Sequence, residues 1–249
     1  MKREGKLLTL PEIEGKTFIC GDLHGCYFDF MRLLAIVGFN EEKDRVICCG
    51  DLIDRGTDSL MCVTLLEEPW FFTVLGNHEE FLVDTCYQRI EPNYTAKDHL
   101  WIRNGGMWAY SLSPQEAIDI AEKMCRLPVG IEAIVNGETI AIIHADPLHY
   151  NWTTTKDALR GMPENHMKEL TPTQENIIQT AIWSRGQVDE DKYVDGCHLM
   201  VHGHTIVDEP RFLSNRLFLD TGSFLKYWDG ENGHISILCV NTREITGER

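Results

Sequence analysis

Three short polar segments, each directly following a run of apolar and β-branched residues, constrain this chain more than any other feature. Lys16-Thr-Phe-Ile-Cys20 runs into Gly21-Asp22-Leu23-His24-Gly25. Arg45-Val-Ile-Cys-Cys49 runs into Gly50-Asp51-Leu52-Ile53-Asp54-Arg55-Gly56, and Trp70-Phe-Phe-Thr-Val-Leu75 into Gly76-Asn77-His78-Glu79. A fourth run, Thr139–Ile143, ends in His144-Ala145-Asp146. Between them lie helical patterns: Phe30, Leu33, Leu34 and Val37 repeat at i, i+3, i+4, i+7, and Leu60–Leu66 and Glu79–Cys86 read similarly. Strand, polar segment, helix, strand is the grammar of an α/β fold. In such sheets ligands gather outside the carboxyl ends of the strands, and every polar segment sits at such an end.

Further along, the pattern predicts helix from about Asn104 to Glu132, with Ser113-Pro114-Gln115-Glu116 as a capping-box start. Pro147–Thr173 is polar without a clean period and reads as a long loop bordering the site. A helix over Pro172–Ile182 and strands over His198–Val201, Arg216–Asp220 and His234–Val240 follow. The expectation is two layers of sheet flanked by helices, with residues 1–249 as one domain; 249 residues suffice for a single core.

No apolar run approaches the length needed to cross a bilayer, and Met1–Leu10 lacks a signal-peptide core, so the expected location is cytoplasmic with no membrane partner. Nine cysteines occur without any C-x-x-C pair, which predicts buried reduced thiols. The formal net charge of −16 argues against nucleic acid as a partner, because such binding draws on Lys and Arg. It also means that an anionic substrate is repelled overall, so its site needs cations and convergent arginines.

Asp22, His24, Asp51, Asn77, His78, His144 and His204 form a mixed oxygen and imidazole set without thiolate. That chemistry suits divalent ions such as manganese or iron. One Asp after a strand is ordinarily a turn former, and one His a satisfied structural group. G-D-x-H-G, then 24 residues, G-D-x-x-D-R-G, then 19 residues, G-N-H-E is a joint pattern that turn formation does not explain.

These blocks resemble the signatures of the metallo-dependent PPP phosphoprotein phosphatases. His144-Ala-Asp146, Trp183-Ser-Arg185, Gly203-His-Thr205 and Asp220-Thr-Gly222 are similar to the compact bacteriophage lambda-type branch, over roughly Phe18 to Val240. The resemblance implies a metallophosphoesterase-like two-sheet β-sandwich flanked by helices. It implies two divalent metal ions, manganese first, with iron or zinc compatible. Asp22 and His24 would hold one ion, Asp51 would bridge, and Asn77, His144 and His204 would hold the other. A hydroxide shared by the ions would attack phosphorus in line. Arg55 and Arg185 would clamp the phosphate, whose oxygens match the guanidinium fork. His78 would be the general acid, with Asp54 fixing its tautomer. His202 is expected to face away, and His99, His149, His166, His198 and His234 match no block. The implied substrate is a phosphoserine or phosphothreonine protein, with phosphotyrosine or phosphohistidine compatible. Symmetrical diadenosine tetraphosphate hydrolases share the three blocks and are the alternative, against which His144-Ala-Asp146 and Asn104-Gly105-Gly106 look phage-like. No regulatory subunit is implied, because the aromatic C-terminal block of eukaryotic members is missing.

Overall fold

The computed structural model describes the chain apart from residues 91–97, 166–169, 186–187, 229, 231 and 248–249, and without the side chains of 87–98. The strands are β1 (Lys2–Glu4), β2 (Leu7–Leu10), β3 (Thr17–Cys20), β4 (Arg45–Cys48), β5 (Phe71–Thr73), β6 (Gly130–Val135), β7 (Glu138–Ile143), β8 (Leu199–His202), β9 (Arg211–Leu213), β10 (Arg216–Phe218), β11 (Ser236–Cys239) and β12 (Glu244–Gly247). The helices are α1 (Tyr27–Ile36), α2 (Ser59–Thr64), α3 (Asn77–Ile90), α4 (Asp98–Arg103), α5 (Pro114–Met124), α6 (Trp152–Arg160), α7 (Pro172–Trp183) and α8 (Leu225–Trp228). Two mixed sheets result, ordered β1-β2-β6-β7-β8-β10-β9 and β12-β11-β3-β4-β5.

Strand periodicity explains how the sheets stack. Phe18 and Cys20 of β3, with Val46 and Cys48 of β4, pack in the core beneath α1, α2, α3 and α5. Ile19 and Ile47 point the other way and meet Ile131, Ile142, Val201 and Leu217 of the second sheet. The outer face of that sheet, through Leu7, Ala141, Ile143 and Met200, is covered by Trp152 and Leu159 of α6 and Ile178 and Ile182 of α7. Strands buried on both faces are continuously apolar, which is why these runs lack polar alternation. Each large side chain so buried stabilises the fold by roughly 1.5–3 kcal/mol.

The topology also delivers the polar segments to one rim. β3, β4 and β5 are parallel neighbours in chain order, so crossovers of one hand put α1 and α2 on the same face. All three strands therefore end at the same edge. β7, β8 and β10 are likewise mutually parallel, and their carboxyl ends supply residues 144–146, 203–205 and 219–223.

Three expectations need correction. The helix predicted to Glu132 ends near Met124, and Gly130–Val135 is strand β6, paired with β7 across Asn136-Gly137. Both turn residues have positive φ, the conformation that Asn-Gly hairpins adopt. The supposed loop Pro147–Thr173 contains α6, started by the Asn151 side chain accepting the Thr154 N–H. Its Thr153-Thr154-Thr155 run is a poor helix former, and Trp152, wholly buried, anchors it by donating Nε1–H to Glu132. At the amino terminus β1 and β2 complete the larger sheet, where no strand was predicted. The Ser113 capping box with Glu116 is present as expected, and a second, Thr171 with Gln174, starts α7.

Candidate metal centre

The rim gathers side chains from the ends of five strands, β3, β4, β5, β7 and β8, almost all of them buried. Ligand atoms of His24, Asp51 and His78 lie within 4.8 Å of one another, and so do those of Asp51, His144 and His204. Asp51 belongs to both groups. Its Oδ2 lies 3.6 Å from His24 Nε2, 3.9 Å from His78 Nε2 and 3.5 Å from His144 Nε2. Its Oδ1 accepts the His78 backbone N–H at 2.9 Å. Burial opposes its charge, but the surrounding imidazoles outweigh that and hold its carboxyl well below the usual range.

Backbone carbonyls fix which ring nitrogens face the centre. His144 Nδ1 lies 2.7 Å from the Cys49 carbonyl and His24 Nδ1 3.0 Å from that of Ile53. A carbonyl only accepts, so each Nδ1 carries the proton and each Nε2 presents a lone pair. Asn77 Oδ1 sits 3.0 Å from His144 Nε2 and 2.8 Å from His204 Nδ1. The lone pairs of an amide oxygen and of imidazole nitrogen are thus turned towards one place, an arrangement that a shared cation favours. Burial lowers the proton affinity of the rings, pushing His204 down to about 3 and His144 below its ordinary value.

Asp22 enters neither group. Its Oδ2 accepts the His204 N–H at 2.9 Å, while its buried Oδ1 has no hydrogen-bond donor. Burial, then the charges of Asp220 and Asp51, push its carboxyl well above the usual range. Three buried carboxylates so close together need positive charge. Space is tight as well: a Cβ on Gly203 would stand 2.0 Å from Asp22 Oδ1, and one on Gly76 2.2 Å from Asp51 Oδ1. On these grounds the residues present fit a pair of divalent cations. Asp22, His24 and Asp51 would serve one, and Asp51, Asn77, His144 and His204 the other.

The remaining candidates surround this centre. His78 Nδ1 lies 2.7 Å from Asp54 Oδ2, both groups being almost wholly buried. Arg55 Nη1 donates to His24 Nε2 at 3.0 Å, and its guanidinium lies 4.3 Å over the Phe224 ring. Arg185 Nη1 donates to the His204 carbonyl at 3.3 Å. His202 stacks on Phe218 and engages the Ala145 carbonyl through Nδ1, away from both groups. His99, His149, His198 and His234 enter neither group, and His166 lies outside the described residues. All nine cysteines are buried, as predicted, and none of them forms a disulfide.

Sequence reasoning assigned no role to four residues at the site. Glu79 accepts three backbone N–H groups of the two neighbouring segments. Asp220 lies close enough to Asp22 for its charge to add to burial in raising the Asp22 carboxyl. Trp101 and Trp108 both donate to Asp54. Glu79 and Asp220 stood inside recognised blocks, whereas nothing in the sequence marked the tryptophans.

A two-sheet α/β sandwich with a shared carboxylate among imidazoles, an amide and flanking arginines defines a metallophosphoesterase. The sequence pattern of the calcineurin-like phosphoesterases matches residues 15–208, and the chain belongs to that family. It is 30% identical over 215 residues to serine/threonine-protein phosphatase 2 of Salmonella typhimurium, covering 83% of this chain and 87% of that one. It is 45% identical over 145 residues to a symmetrical bis(5'-nucleosyl)-tetraphosphatase of Nitrosomonas europaea, covering 49% of this chain and 53% of the other. Its fold matches a serine/threonine phosphatase from Saccharomyces cerevisiae with TM-score 0.63 at 16% identity, over 98% of this chain and 83% of that one. The family operates with a dimetal centre, and no helix among the described residues is long and apolar enough to cross a membrane.

Proposed function

We propose that this hydrolase removes phosphate from serine and threonine side chains of proteins. Pairing of the buried His78 with Asp54 beside the shared Asp51 carries the phosphomonoester reading, because an alkoxide is a poor leaving group and needs a proton. Two divalent ions bound at the centre, manganese first, would supply an activated water and neutralise phosphoryl charge. Arg55 and Arg185 clamp the non-bridging oxygens and align phosphorus with the incoming water. His78 Nε2 hands its proton to the departing serine or threonine oxygen, while Asp54 Oδ2 holds Nδ1–H and stabilises the imidazolium before transfer. No cysteine takes part, and burial pushes the Cys48 and Cys49 thiols well above their ordinary values.

Two further observations favour a protein over a dinucleotide. The relative named as a serine/threonine phosphatase aligns along most of both chains, whereas the tetraphosphatase aligns over about half. A groove of about 590 Å³ begins at Thr205, next to His204, and is lined by Asp189, Asp208 and Glu209 against Arg211. Excess negative charge there suits a peptide flanking one phosphate and repels a chain of four. Neither nucleic acid, nor membrane, nor a regulatory subunit enters this reading.

The test compares phosphoserine, phosphotyrosine and phosphohistidine peptides with diadenosine tetraphosphate, in manganese. Phosphoserine peptide should give the highest kcat/KM. A dinucleotide turned over faster than every peptide would replace this reading with the tetraphosphatase one.

A further inference from the structure

Asp54 has three donors on its two oxygens. Trp101 Nε1 donates to Oδ2 at 2.6 Å, Trp108 Nε1 donates to Oδ1 at 2.6 Å, and His78 Nδ1 approaches Oδ2 at 2.7 Å. Trp101 lies within α4, and Trp108 lies in the short 3-10 segment Gly106–Ser111 that follows it. Asp54 and Trp101 are wholly buried and Trp108 half-buried.

The turn between the two tryptophans is pressed onto the same place. A Cβ on Gly106 would stand 2.4 Å from the Trp101 indole, and one on Gly105, whose φ is +97°, 2.3 Å from the Arg55 backbone nitrogen. Asp54 and Arg55 themselves have positive φ, 73° and 69°, a conformation that side-chain-bearing residues adopt only when their surroundings hold them. Residues 101–108 thus brace this strained turn from one side. The Asp54 N–H donates to Ser59 Oγ at 2.9 Å from the other.

An indole N–H donates, never accepts, and does not titrate. Two of them facing a carboxylate consume acceptor capacity without offering a proton or taking one. A hydroxyl or an imidazole in the same place could do either. The carboxylate keeps a fixed plane, and His78 Nδ1 meets an oriented lone pair.

We infer that Trp101 and Trp108 are positioning residues of the proton-donating pair, acting on His78 through Asp54. The inference rests on the proposed role of His78 as general acid. With the indoles in place the carboxylate cannot rotate away from Nδ1, so Nε2 remains the ring nitrogen aimed at the leaving oxygen. Gly105 and Gly106 serve the same end by letting the tryptophan segment approach.

The test uses Trp108→Phe, which keeps an aromatic ring at a half-buried site and removes only the donor. With manganese saturating, kcat/KM on a phosphoserine peptide should fall roughly tenfold, the worth of one hydrogen bond to a charged group. On an activated aryl phosphate, which needs no proton, the loss should stay below about threefold. Metal content should not change, and in an Asp54→Asn background the same substitution should add nothing. Trp101→Phe should reproduce the pattern, with thermal unfolding reporting its larger cavity. Equal losses on the two substrates, or full additivity with Asp54→Asn, would overturn the inference. His78→Asn run in parallel separates the failures. If it shows leaving-group dependence and Trp108→Phe does not, only the tryptophan assignment falls. If His78→Asn itself loses equally on both substrates, the acid role falls and the inference with it.

Discussion

Glu79 holds Asp51 by its backbone: Glu79 Oε2 accepts the Asp51 N–H at 2.9 Å, although the two residues are 28 positions apart. The same oxygen accepts Gly76 N–H at 2.9 Å, and Oε1 accepts Leu52 N–H at 2.8 Å. Glu79 is wholly buried, so its loss leaves three backbone donors without partners. Glu79→Ala should therefore cost roughly 3 kcal/mol or more in urea unfolding of the chelated protein. It should also lower metal retention on gel filtration without Glu79 being a ligand. Unchanged stability would mean that water replaces the carboxylate.

Asp51 sits in both ligand groups and Asp22 in neither, although Asp22 Oδ1 has no hydrogen-bond donor. Asp51→Asn should lower the affinity of both ions, and Asp22→Asn that of one. Metal content after dialysis should thus be near zero in the first variant and about half of wild type in the second, by the one-ion-against-two logic of a bridged pair. Chelated wild type should be inert and recover with manganese better than with calcium. Full activity after thorough demetallation would refute the dimetal reading.

Arg185 donates to the His204 carbonyl, and its charge adds to the burial that lowers both His144 and His204. Arg185→Ala should weaken inhibition by inorganic phosphate and slow turnover together, each by roughly tenfold to a hundredfold. Arg185→Lys should recover part of the charge effect but not the fork. An Arg185→Ala enzyme with unaltered phosphate inhibition would exclude this arginine from the clamp.

Far from the centre, Lys6 is fully buried, donating to the carbonyls of Cys125 at 2.5 Å and Leu127 at 3.0 Å. Burial, with Arg3 nearby, pushes its amine down to about 7 from 10.5. Between those values the folded chain binds fewer protons than the unfolded one, so this group makes stability rise with pH, by up to roughly 1.4 kcal/mol per pH unit. Below about pH 7 both states are protonated and the slope vanishes. Urea unfolding of wild type against Lys6→Met at pH 6, 7.5 and 8.5 should show wild type gaining on the variant only above about pH 7. A difference independent of pH would show that Lys6 stays charged throughout.

Much of the architecture was legible because the informative features are local. Residues buried on both faces of a sheet form unbroken apolar runs, and ligands must follow them at the carboxyl ends, so Asp22, Asp51, Asn77 and His144 could be placed on one rim from spacing alone. Where local preference and tertiary demand part company, the reading failed. Thr153–Thr155 disfavour helix, yet α6 forms because Trp152 is drawn into the core. Gly130–Val135 was joined to the helix before it, although Asn136-Gly137 marks a hairpin and β7 was waiting to pair.

The sequence by itself determined the kinds of ligand, their order and the strand ends that carry them. It could not decide which atom of each faces the centre. That choice falls to carbonyls distant in sequence, Cys49 for His144 and Ile53 for His24, which fix the protonated nitrogen. Nor could it show that Asp54 is held by two indoles 47 and 54 residues away. Hydrogen-bond partners between segments depend on how the chain is brought together, and residue order along it records no such distances.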